Sequence, residues 1–198
     1  MKGFMIERLK VSGEGVEDAV VDFSDGLNVI RGRSNTGKTW VLKCAYYLFS
    51  SDSRPFSPLT GYTDIEGTFL TAHFGRIVMQ RALGEEIVTV SSESEEVEDG
   101  EYDTNYRRKG HRYLNDLWLR IIGLEETIMV PKNMYYARER ISWTNIASVF
   151  YVDENEVAGE GSIVLKDNDT ATALIASLYY LWVNPKSCGL GVDSVIRS

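Results

Sequence analysis

Two cysteines, two histidines and four prolines in 198 residues leave little material for a disulfide scaffold or a metal-ligand cluster. Cys44 and Cys188 stand far apart, and neither makes a metal-type spacing with His73 or His111. Isolated cysteines suit a reducing compartment, so a cytoplasmic chain is expected. No apolar run of about eighteen residues occurs, so no transmembrane helix and no membrane partner is expected. The opening Met1-Lys2-Gly3-Phe4-Met5-Ile6-Glu7-Arg8 lacks the apolar stretch of a secretion signal and reads as the start of a strand. Internal repeats, heptads and low-complexity linkers are also missing.

Basic residues are missing from one stretch in particular. No Lys or Arg lies between Arg81 and Arg107, while nine carboxylates crowd into 85–103. Taking those nine from the 29 acidic residues leaves 20 against 21 basic ones, so the net charge of −8 is a local feature. An acidic loop over 85–103 is expected. A basic patch follows at once in Arg107, Arg108, Lys109 and Arg112, with His111 among them. It is either a solvated loop of mixed charge or a contact for nucleic acid or a partner.

What remains is ordinary globular material, 43% hydrophobic and 25% charged, and long enough for one core. Phe4–Val11 and Ala19–Phe23 read as strands. Leu27-Asn28-Val29-Ile30 is a short β-prone run leading into a glycine-rich loop. From Lys38 the period becomes helical, with Val41, Leu42, Ala45, Leu48 and Phe49 at three- and four-residue spacing. Cys44, on that pattern, reads as a core residue. Ser50–Thr63 has loop punctuation. Thr68–Phe74 and Arg76–Leu83 read as strands joined at Gly75, followed by Ile87–Val90. Leu114, Leu117, Trp118 and Ile121 share one helical face, with Gly123 as the stop. A short strand at Thr127–Val130, a helix passing into a strand over Ile141–Val152, and a helix over Asp169–Val183 complete the series. Asp169 or Thr170 is the expected cap of that last helix.

The strongest signal is Gly32-Arg33-Ser34-Asn35-Thr36-Gly37-Lys38-Thr39, which fits G-x-x-x-x-G-K-[ST] at every defined position. Small residues let backbone N–H groups close around phosphate oxygens, and the following helix turns its positive end to the same anion. Lys38 is expected on the β- and γ-phosphates and the Thr39 hydroxyl on Mg²⁺. Asn35 suits a position that needs positive φ, where only glycine is more tolerant. ATP and Mg²⁺ are therefore the expected ligands.

Phe23-Ser24-Asp25-Gly26-Leu27-Asn28-Val29-Ile30-Arg31-Gly32, running into this loop, resembles the start of the SMC, RecF and RecN-type ATPases. Met5–Val11 is similar to that family's opening strand. The segment Ile146–Val157 resembles the approach to its Q-loop, where a polar side chain senses Mg²⁺ and the γ-phosphate. Glu154 stands where many relatives carry Gln, and either holds a metal-bound water or is an ordinary surface acid. Arg8 and Lys10 lie in the region from which relatives reach the nucleotide. The resemblance implies an α/β fold, a P-loop NTPase head of ABC/SMC type with a flanking antiparallel sheet formed by Phe4–Phe23 and Thr68–Val90. It also implies a composite site completed by a C-terminal lobe or by a second head that dimerises on ATP binding. A role in DNA repair, chromosome maintenance or defence follows from it, with DNA as a possible partner.

The family's signature loop, Walker B strand with its catalytic Glu, and coiled coil have no counterpart here. The chain therefore reads as an N-terminal lobe over 1–183 with a flexible or non-native tail over 184–198, and the catalytic base is unassigned. Two other readings stay open. One is a nucleotide-binding module that does not hydrolyse. The other is a small P-loop kinase with Arg138 and Arg140 in a lid, which the consecutive strands after the first helix disfavour. Overall acidity opposes strong binding to DNA phosphates. Duplex binding by this chain is expected to be weak at physiological salt, and charge reversal across Arg107–Arg112 to lower what remains. Titrations over a salt series check this, and an affinity unchanged by the reversal dismisses the patch.

Overall fold

The first strand shows how the chain keeps its apolar residues on one side. Strict alternation would place Phe4, Ile6, Arg8 and Lys10 on one face, yet Leu9 and Val11 also pack inward. In the computed structural model a bulge between Ile6 and Arg8 resolves the conflict. One extra residue, Glu7, shifts the parity, so Phe4, Ile6, Leu9 and Val11 all reach the core. The structure describes residues 3–33, 36–105, 110, 112–124, 128–133, 135, 137–152 and 171–183.

Among those residues the fold is mixed α/β. Strands β1 (Phe4–Ser12), β2 (Ala19–Asp22), β3 (Asp64–Thr71), β4 (Gly75–Ala82), β5 (Ile87–Ser92), β6 (Gly100–Asp103) and β7 (Arg112–Tyr113) form one sheet. Its order is β2-β1-β3-β4-β5-β6-β7. Every pairing is antiparallel except β6 with β7. The antiparallel pairing expected of Phe4–Phe23 and Thr68–Val90 is therefore present, within one larger mixed sheet. β3 begins at Asp64, four residues earlier than its sequence pattern indicates. Strands β8 (Met129–Pro131) and β9 (Arg138–Arg140) make a separate hairpin.

Four helices accompany the sheet among the described residues: α1 (Lys38–Leu48), α2 (Leu114–Ile121), α3 (Trp143–Phe150) and α4 (Ala171–Val183). A 3₁₀ turn lies at Pro58–Thr60. None is long and apolar enough to cross a membrane. α2 buries the face its spacing indicates. Its end is a Schellman turn: Gly123, at φ 86, donates to the Arg120 carbonyl (2.9 Å), and Leu124 N–H reaches Leu119 O (2.8 Å). α3 starts where the Asn115 side chain of α2 accepts the Trp143 amide at 2.7 Å. Asp169 and Thr170, the expected cap of α4, lie outside the described residues.

Three expectations need correction. The acidic stretch 85–103 is not a loop throughout: β5 lies where Ile87–Val90 is expected as a strand, β6 is not expected, and their connection runs over 93–99. That turn is held by Arg112, 2.7 Å from Glu98, and by Arg120, whose guanidinium donates to the Glu96 carbonyl at 2.8 Å. Carboxylate density marks an exposed edge and does not exclude strands. Leu42 belongs to no core face. It is 50% exposed, and α1 instead buries Cys44, Ala45, Tyr47 and Leu48. Lastly, Leu27–Ile30 joins no ladder among the described residues, and Leu27 and Val29 are 91% and 71% exposed.

Helix α1 is fixed to the sheet at two points. At Gly67 a Cβ would sit 2.6 Å from Leu48 Cδ1, so this glycine lets the helix approach β3. At the helix C-terminus Arg81, only 3% exposed, donates to the carbonyls of Tyr47 (2.7 Å), Ser51 (2.8 Å) and Glu85 (2.8 Å). Its guanidinium also lies 3.9 Å from the Tyr47 ring centroid. Below, Phe4, Phe49, Phe69, Trp118 and Trp143 form an aromatic cluster in which the two indoles stack at 5.4 Å. Arg81→Met is expected to cost about 3 kcal/mol, since it strips charged hydrogen bonds from buried carbonyls. A lower urea midpoint at constant m checks it. Arg81→Lys recovers little, because an ammonium cannot fork to three acceptors. An unshifted midpoint would show that packing alone seats the helix.

Candidate functional site

The glycine-rich motif spans the turn into α1. Gly37 occupies the N-cap position with φ 82 and ψ 6, a left-handed conformation that a Cβ would strain. It has no side chain to offer the first-turn amides, and only Trp40 N–H is seen bonding back, to Gly37 O at 2.9 Å. A helix start left uncapped in this way is a natural anion site. Thr36 Oγ1 donates to the Arg33 carbonyl (2.8 Å), bracing the loop from within. A Cβ on Gly32 would sit 2.7 Å from that hydroxyl, so this position has room for glycine alone while Thr36 keeps its place.

Lys38, the first residue of α1, folds back over the loop. Its Nζ donates to the carbonyls of Gly32 (3.0 Å) and Arg33 (2.5 Å). The ammonium is thus held against the Gly32 and Arg33 carbonyls. The Thr39 hydroxyl makes no hydrogen bond among the described residues. Upstream, Asn28 closes the turn into the loop: its Nδ2 donates to Ser24 O (2.8 Å) and Gly26 O (3.1 Å), and its Oδ1 accepts Ser24 N–H (3.0 Å). Ser34 and Asn35 fall outside the described residues, as does Glu154.

A cavity of about 800 Å³ opens from Thr36–Thr39 and runs between β1–β2 and α1. Leu9, Val11, Ala19 and Val21 line its sheet side. The same alternation turns Arg8 and Lys10 to the opposite face, where they pair with Asp22 (2.6 Å) and Asp18 (2.8 Å). Those two residues therefore do not reach this site, and the bulge at Glu7 is what turns them away.

The aromatic side of the cavity has no forerunner in the sequence reading. Trp40, Phe56 and Tyr62 line it, the last two from the stretch with loop punctuation. Phe56 is 7% exposed, and its contacts with Trp40 (5.5 Å) and Tyr62 (5.9 Å) make a continuous wall. The available signal is two aromatic residues in a segment otherwise full of Ser, Pro and Gly.

Two further candidates stay apart from the cavity. Arg112 is engaged with Glu98 and with the Asp99 carbonyl (2.6 Å), while Arg107, Arg108, Lys109 and His111 lie outside the described residues. Arg140 pairs with Asp116 at 2.7 Å and is not among the residues lining the cavity. Among the described residues no group of three or more His, Cys, Asp or Glu is placed to hold a metal. No protein-family model matches the chain, and no curated protein matches it significantly.

Cys44 borders the cavity from α1 but is only 3% exposed, and burial pushes its thiol from 9.0 up to about 12. The folded state thus holds the neutral thiol. Its stabilising effect is complete below about pH 9 and is lost as pH rises towards 12. The thiolate is the reactive form. Alkylation at pH 8 is expected to leave Cys44 unmodified in the native chain and to modify it in denaturing urea, read by peptide mass. Modification of the native chain at the unfolded rate would place Cys44 outside the core.

Proposed function

We propose that the chain is the nucleotide-gripping lobe of an ATPase head similar to the SMC, RecF and RecN-type enzymes, and that it binds Mg·ATP. The observation that carries the reading is the Lys38 ammonium, held at 3.0 Å from the Gly32 carbonyl at the uncapped start of α1. A cation in that place, beside first-turn amides, meets a phosphate chain with both fixed charge and directed donors.

The roles of the residues follow. Backbone N–H groups of Thr36–Thr39 bind the phosphates. Lys38 exchanges loop carbonyls for β- and γ-phosphate oxygens. The Thr39 hydroxyl has no competing partner among the described residues and fits Mg²⁺, which takes few protein ligands and keeps its waters and substrate oxygens. Bound there, the ion would neutralise charge on the β- and γ-phosphates during transfer to water.

Hydrolysis needs more than this lobe. No carboxylate is among the described residues lining the cavity to serve as general base for water. The exposed Leu27–Ile30 run is a β-prone segment without a strand beside it among the described residues, as expected of a head whose second half supplies that strand. DNA repair, chromosome maintenance or defence is the setting the resemblance implies, in the cytoplasm.

The purified chain is expected to bind Mg·ATP and to turn it over only slowly. Lys38→Ala is expected to weaken binding at least about tenfold, the loss of one charge-assisted contact. Calorimetry and phosphate release measure both. Rapid turnover by the chain alone, abolished by Lys38→Ala, would mean that a complete catalytic site is already present.

A further inference from the structure

A phosphate grip accounts for only one end of the cavity. Its walls change from polar at Thr36–Thr39 to aliphatic and aromatic further in, and about 800 Å³ is the size of a pocket for a whole small molecule. Trp40 stands where the two parts meet. It follows Thr39 directly, and its Cε3 lies 3.7 Å from where a Gly37 Cβ would project. Phe56, itself braced by Tyr62, packs against it at 5.5 Å and 45°. The indole nevertheless remains 40% exposed, a large rigid apolar ring held beside the loop.

Resting on the function proposed above, we infer that this wall is the nucleoside subsite and that the base stacks on Trp40. The polar side chains among the described lining residues are Thr36, Lys38, Thr39, Lys43 and Tyr62. The Tyr62 hydroxyl already donates to the Glu17 carbonyl at 3.1 Å. No carboxylate or side-chain amide is among them, so no side chain on these walls offers the paired acceptors that the N1–H and N2–H₂ donors of guanine take from a carboxylate. A π face binds any base, whereas edge-reading separates them. The subsite therefore selects a flat ring and discriminates little between adenine and guanine.

The test is calorimetric titration of the full chain, with Mg²⁺, against ATP, GTP and inorganic tripolyphosphate. It is repeated for Trp40→Phe, which keeps a ring, and Trp40→Leu, which keeps apolar volume without one. ATP and GTP are expected to bind within about fivefold of each other and both more tightly than tripolyphosphate. Trp40→Leu is expected to weaken both nucleotides about tenfold and to leave tripolyphosphate unchanged, while Trp40→Phe retains most of the affinity. Equal effects of Trp40→Leu on all three ligands, or none on any, overturn the stacking role. GTP weaker than ATP by about fiftyfold or more overturns the lack of base selection. Failure of all three to bind the unsubstituted chain instead removes the phosphate grip, and with it the function on which this subsite rests.

Discussion

The placement of α1 depends on a buried cation whose hydrogen bonds go to carbonyls. Arg81 sits at the helix C-terminus, where unpaired carbonyls concentrate partial negative charge. Burial lowers its pKa from the usual arginine range, while the Tyr47, Asp52 and Glu86 surroundings oppose that shift. Trp118 adds an indole N–H to the Leu48 carbonyl at 3.3 Å. Three side-chain hydrogen bonds thus close the end of α1 that water would otherwise have to satisfy. With that end tied to β4 and Leu48 seated over Gly67, a rod about 16 Å long has little freedom left. Its opposite end carries Lys38 and Thr39. The position of these two residues is thereby set in part by interactions at the far end of the helix.

How much of this can be read from residues alone differs by element. α2 is legible in full, because its face, its Gly123 stop and its burial all follow from local periodicity. The central strands are largely legible as well, since Phe69, Ile77, Met79, Val88 and Val90 fall at alternate, inward-facing positions. The motif from Gly32 to Thr39 is legible as a sequence. Its surroundings are not, because they are tertiary. The parity change at Glu7 is visible only once β3 fixes the register of β1. That change decides which way Arg8 and Lys10 point. Leu42 reads wrongly as core because helical spacing admits two neighbouring faces, and Arg81 selects the one that buries Tyr47.

Strand β6 within 85–103 escapes a sequence reading for a related reason, whereas β5 is legible over Ile87–Val90. Runs of carboxylates suggest a loop because unpaired charge avoids a core. Along β5 and β6, however, only alternate residues need be apolar, and Val88, Val90 and Tyr102 supply them. The charge collects on the connecting turn, where Arg112 and Arg120 from later in the chain answer it. Those ion pairs are exposed and individually weak. Their effect is to hold one turn against both ends of α2, which in turn carries Trp118 to the end of α1.

Energetically, the loop over 32–39 is already engaged with itself. Lys38 directs donors to the carbonyls of Gly32 and Arg33, and Thr36 another to that of Arg33, so an anion entering the loop replaces bonds already present. Affinity for a bare phosphate chain is then the difference between the new charge–charge attraction and the charge–carbonyl hydrogen bonds it displaces. That difference is smaller than the gross strength of either set. A ligand whose remaining atoms bury apolar surface along Trp40, Leu9 and Val21 adds a second contribution that needs no such exchange. On the proposed function the two parts of the cavity would act differently: the loop would supply the requirement for phosphate, and the aromatic wall affinity that the loop's own hydrogen bonds do not offset.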